Sequence, residues 1–132
     1  MLKRVLAVFL GFLAGFVTTG LIQMVSARMY PPPEDLITRD IEALEIYFTH
    51  LPSTARLIML VAHIIGAFIG SFLAARMADR YRLYLGLLVG VVMLVASISY
   101  NLASFAPAWA FMTDLAATAG VAYLGARLGS RN

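Results

Sequence analysis

Four stretches of nearly uninterrupted apolar residues, at about 5–27, 55–76, 83–102 and 107–127, alternate with polar connections along the chain. A hydrocarbon core of about 30 Å calls for roughly 20 apolar residues in a helix rising about 1.5 Å per residue. Each stretch meets that length. The pattern predicts an all-α integral membrane protein, a four-helix up-down bundle in which short turns force antiparallel neighbours. The one long connection, 30–53, opens on Pro31-Pro32-Pro33, which forbids further helix and holds an extended turn. Within it, Thr38 or Asp40 can cap a short amphipathic helix with Ile41, Leu44, Phe48 and Leu51 on one face. Glu42 and Glu45 point elsewhere. Such a helix would lie on the outer membrane surface or lid the bundle, with Tyr30 and Tyr47 at headgroup depth. Pro107 suits the first turn of the last span and Trp109 the membrane interface.

Composition agrees: 61% of residues are hydrophobic and 13% charged, against about 45–50% and about 25% in soluble domains. All 132 residues form a single transmembrane domain, with no room for a soluble one of ordinary size. The formal charge of +3 arises from basic residues at span ends that form no patch, so nucleic acid is not an expected partner. Lys3, Arg4, Arg76, Arg80, Arg82, Arg127 and Arg131 collect on one side, against Arg28, Arg39 and Arg56 on the other. That asymmetry sets both termini and the middle turn on the cytoplasmic side. Asp79, in the middle turn, is expected to pair locally. The start, Met1-Leu2-Lys3-Arg4 before an apolar run and Val25-Ser26-Ala27, also has the look of a secretory signal. The run is longer than a signal core of roughly 7–15 residues, so an uncleaved first span is expected.

Every span carries small residues four apart: Gly11 and Gly15, Gly66 and Gly70, Gly86 and Gly90, Gly125 and Gly129. Lipid supplies no hydrophobic drive between helices, so close backbone approach at such residues is expected to hold the bundle. Every span also carries a polar group towards its outer end: Thr19 and Gln23, His63, Ser97 and Asp114. His63 and Asp114 lie about seven residues in, near 10 Å at the helical rise. In each case the polar residue shares a face with the small ones, which points it inward. Aimed at lipid, Asp114 would cost roughly 2.5–3.5 kcal/mol on insertion scales. His63 is its expected partner, with Arg56 a shallower alternative.

Chemistry beyond that is sparse. There is no cysteine, which removes thiol catalysis and thiolate metal sites. One membrane His and one Asp fall short of a zinc site, even with His50 folded over. No nucleophile–base pair, phosphate loop or dinucleotide fingerprint is present. Neither an enzyme nor a cofactor is expected.

The run Pro31-Pro32-Pro33-Glu34-Asp35 through Leu51-Pro52, followed by the Gly66/Gly70 helix ending in Ala75-Arg76, resembles small bacterial four-helix inner-membrane proteins. The resemblance covers most of the chain and implies a multi-pass inner-membrane location but no activity. Small multidrug transporters are similar in size and span number, yet carry their membrane carboxylate in the first span rather than the fourth. The paired Phe and Asn patterns of fluoride channels are not found. Two readings follow. One is a structural or accessory membrane protein that forms a homo-oligomer or attends a larger complex. The other is a small proton-coupled transporter or channel that uses Asp114 and His63. The apolar halves of the spans away from these residues favour the first.

Overall fold

The computed structural model describes residues 1–36 and 39–131, and all regular structure among them is helical. The elements are α1 (Leu2–Met29), α2 (Ile41–Thr49), α3 (Ser53–Met77), α4 (Arg82–Ala103) and α5 (Ala108–Ser130). Their ends follow the local chemistry. Tyr30 leaves α1 with its N–H on the Ser26 carbonyl at 2.9 Å, and the prolines after it prevent another turn. Pro52 and Pro107 stand just outside α3 and α5 in extended conformation, each offering its carbonyl to the first turn. Pro107 is thus one residue outside its helix rather than in its first turn. Asp40 caps α2, accepting from the Glu42 and Ala43 N–H groups at 3.1 and 3.3 Å. Thr38, the other candidate cap, lies outside the described residues.

α1, α3 and α4 are long and apolar enough to cross a membrane. α5 has 23 residues, but Thr113, Asp114 and Thr118 dilute it, and it does not reach the same apolarity. Side-chain size is distributed as a membrane protein requires. Phe9, Phe16, Leu21, Val91 and Val95 are exposed, whereas the buried core is Ala67, Ala74, Val89, Met93 and Ala122. In water such an exterior would aggregate; in lipid it is the solvated face.

α3 is the central helix, packed against α1, α4 and α5; α4 also packs on α5 and more lightly on α1. The α1–α3 crossing shows what the small residues permit. A Cβ on Gly15 would stand 2.6 Å from the Gly66 carbonyl oxygen, and one on Gly11 would stand 2.7 Å from that of Gly70. No side chain fits between these backbones. Gly86 and Gly90 of α4 face Ser71 and Ala75 of α3 and Ala122 and Ala126 of α5. Gly125 and Gly129 lie on the Phe68 and Phe72 carbonyls of α3. All eight are buried inside the bundle.

Two further expectations are corrected. Ile41 is 70% exposed and does not share the covered face of α2. Only the far half of this helix is tied down, through the Tyr47 hydroxyl on the Tyr30 carbonyl (3.0 Å) and Arg56 on the Phe48 carbonyl (2.6 Å). Leu44, Tyr47, Phe48 and Leu51 are half-buried, and Glu42 and Glu45 are exposed. Burial pushes the Tyr47 phenol above its ordinary value. Asp79 does not pair only locally: besides the Arg80 N–H at 2.8 Å, it binds Arg4 of α1 at 3.2 Å. The turn between α3 and α4 reverses through Tyr81 at φ 54, which swings its ring beneath the Arg4 guanidinium, 5.3 Å away.

Candidate functional site

Asp114 is 3% exposed and gathers donors from three helices. Its Oδ2 accepts from His63 Nδ1 on α3 at 2.6 Å, from Ser97 Oγ on α4 at 2.9 Å, and from the Asn101 side-chain amide of α4. Its Oδ1 accepts from Thr118 Oγ1, one turn along α5, at 2.8 Å. A carboxylate has about four lone-pair sites, and the four donors engage both oxygens. The Asn101 amide also donates to the Ser97 carbonyl at 2.9 Å, so the two α4 ligands brace each other.

Helical periodicity makes this geometry local on each element. Ser97 and Asn101 are four apart on α4, Asp114 and Thr118 four apart on α5, so each pair stacks on one face. The turn 104–107 then folds these faces together, and α3 brings His63 against them. The Tyr100 ring stands at a steep angle to the His63 ring, centroids 5.2 Å apart.

The other sequence candidates sit nearby but outside this network. Thr19 Oγ1 donates to the Gly15 carbonyl of its own helix at 2.9 Å and to Ala62 of α3 at 3.2 Å. Gln23 is half-buried one turn further on and makes no contact with Asp114. Arg56 is committed to the Phe48 carbonyl rather than to Asp114. Asn101 and Thr118 complete the ligand set: helical spacing puts them on the faces of Ser97 and Asp114, but that alone does not mark them as ligands.

Two spaces adjoin the network. A cavity of about 30 Å³, room for about one water, lies towards α2 between Asp114, His63, Asn101, Arg56 and Trp109. A crevice of about 230 Å³ opens between α1 and α4, with His63 and Tyr100 on its inner wall. Away from α2 the character changes. Among the described residues, Ser71 alone of the buried polar side chains lies in that half of the bundle, and its hydroxyl has no partner there. Among the described residues, no three His, Cys, Asp or Glu side chains come together as metal ligands would.

The chain matches no protein-family model, and neither a curated protein nor a solved structure aligns with it as a relative.

Proposed function

We propose that the chain is a four-span protein of the bacterial inner membrane, with both termini cytoplasmic, and that it serves as a structural or accessory bundle that self-associates. α5 supplies the fourth span. Its Asp114 is turned inward and satisfied, while Met112, Tyr123, Leu124 and Leu128 form an exposed apolar side. The kinship with small four-helix inner-membrane proteins belongs to the same proposal.

The observation that carries the functional part is the engagement of both Asp114 oxygens by four donors. A carboxylate held by four fixed donors is a fastener for three helices, and the tight glycine–alanine packing beyond Thr118 offers no continuous polar lining. A conduit needs such lining through its whole length. Self-association is supported by the free face of α5, where Thr113, Ala116 and Gly120 are exposed and a Cβ on Gly120 would touch nothing. Small residues at this spacing let two membrane helices approach.

The natural chain lacks cysteine, so single cysteines report without background. Ala116→Cys and Gly120→Cys should give a disulfide-linked dimer on mild oxidation of native membranes, while Val95→Cys on the outer face of α4 stays monomeric. Equal cross-linking at all three positions, or none, would remove the self-association proposal. Proteoliposomes of the natural protein should pass protons no faster than empty vesicles. A proton flux that Asp114→Asn abolishes would replace this reading with the transporter one.

A further inference from the structure

The network around Asp114 leaves one nitrogen out. His63 is 5% exposed, its Nδ1 is spent on Asp114, and its Nε2 makes no hydrogen bond among the described residues. Among the described residues only Ser71 Oγ is both sealed in protein and unpaired. Nε2 is therefore not sealed, and the His63 ring lines both spaces that adjoin the network. With Nδ1–H directed at the carboxylate, the neutral ring presents Nε2 as a hydrogen-bond acceptor. A polar atom this deep in an apolar bundle is costly unless something pairs with it.

The crevice between α1 and α4 has the dimensions for a partner larger than water. An engineered apolar cavity of about 150 Å³ is known to hold benzene, and this one measures about 230 Å³. Its walls are mixed. Phe16, Gly20 and Ala96 are apolar, whereas Gln23, His63 and Tyr100 carry hydrogen-bonding groups. Phe16 at the rim is 56% exposed, so the opening lies on the apolar flank of the bundle. Gly20 adds a separate indication. It sits inside a helix, where glycine costs about 0.5–1 kcal/mol relative to alanine. Unlike Gly11 and Gly15, it serves no backbone contact, since a Cβ there would meet nothing within 4 Å. Its missing side chain keeps the crevice open.

We propose that this crevice binds a membrane-soluble molecule whose head is a hydroxyl-bearing ring, the hydroxyl donating to His63 Nε2 and the apolar remainder lying along Phe16, Gly20 and Ala96. The smaller cavity on the α2 side has no room for such a ring.

The probes are 4-hexylphenol and hexylbenzene, which differ by one hydroxyl. They are titrated into full-length protein in lipid nanodiscs, with histidine labelled by nitrogen-15 and His50 distinguished by His50→Gln. The phenol should move the His63 Nε2 resonance, leave Nδ1 in place, and bind about tenfold more tightly than hexylbenzene, the worth of one buried hydrogen bond. Gly20→Leu should fill the crevice and abolish the Nε2 response while the Nδ1 resonance still reports the Asp114 contact. Ala96→Leu fills it from the opposite wall should the first variant fold poorly. An Nε2 signal unmoved by the phenol, equal binding of the two probes, or natural affinity in a filled, folded variant would overturn the proposal.

Discussion

Asn101 and Asp114 stand thirteen residues apart across the turn between α4 and α5, and the Asn101 amide reaches the same carboxylate oxygen as His63 and Ser97. One atom thereby joins three helices. Asp114→Ala takes the acceptor from His63, Ser97 and Thr118, leaves Asn101 only the Ser97 carbonyl, and should destabilise the bundle by about 3–5 kcal/mol. Asn101→Ala removes one charge-assisted bond and should cost about 1.5–3 kcal/mol. Thermal unfolding in detergent followed by circular dichroism measures both. The combined loss in Asp114→Ala with His63→Ala should fall well below the sum of the two single losses, since both remove one contact.

Gly15 and Gly20 lie on one helix and predict opposite outcomes. Alanine at 15 places a methyl against the Gly66 carbonyl, 2.6 Å away, and must part α1 from α3. Overpacking of this kind costs about 1–3 kcal/mol. Alanine at 20 meets open space and gains about 0.4–1 kcal/mol from lower chain freedom in the unfolded state. Unfolding midpoints on either side of the natural protein would bear this out; a stable Gly15→Ala would show that the crossing is looser than described.

Ser71 carries a hydroxyl that is fully buried and unpaired, between α3 and the Gly90 backbone. Ser71→Ala deletes that oxygen and keeps the shape. The variant should equal or exceed the natural protein by up to about 1 kcal/mol, because it removes the desolvation penalty of an unsatisfied group. A clear loss of stability would mean that Ser71 has a partner in the membrane.

The Arg4–Asp79 pair predicts an acid effect. Partial loss of water raises the Asp79 carboxyl, but the Arg4 guanidinium and the Arg80 N–H outweigh it, so the group titrates below the usual carboxylate value. A lowered folded-state value means that the tie is complete above the unfolded-state pKa, about 3.9. It is lost as pH falls through the folded-state value. Protection of the Arg4 and Val5 amides, measured against the intrinsic exchange rate at each pH, should fall below about pH 4, and Asp79→Asn should show the lowered protection already at neutral pH. The pair is exposed, so high salt should mimic the variant.

Much of the fold was legible because its signals are local. Three prolines, one capping aspartate and apolar runs of span length mark where helices start and stop, and the ends observed lie within a few residues of those expected. His63 and Asp114 share a depth, which made their pairing readable. Asn101 stands one residue from the end of the third apolar stretch, where the pattern gives no hint of a role, yet α4 continues to Ala103 and makes the amide a ligand. Arg4 and Asp79 are 75 residues apart, and no periodicity links positions so distant. The crevice was invisible for a related reason: it is the volume left where α1 and α4, not consecutive in the bundle, fail to fill the space between them.

The central place of α3 has a consequence for how the protein is made. α1 is made before the other four helices, but its principal contact surface, Gly11 and Gly15, lies chiefly on α3, with Met93 of α4 beside Gly15, and it makes no packed contact with α5. Synthesis runs from the N-terminus at about 5–20 residues per second, so this surface waits until the second long helix has emerged. α5 arrives last and under the opposite condition. The donors from α3 and α4 that its aspartate needs, His63, Ser97 and Asn101, are already made when it appears. The order of translation thus delivers the most polar long helix only after its receptor has been assembled.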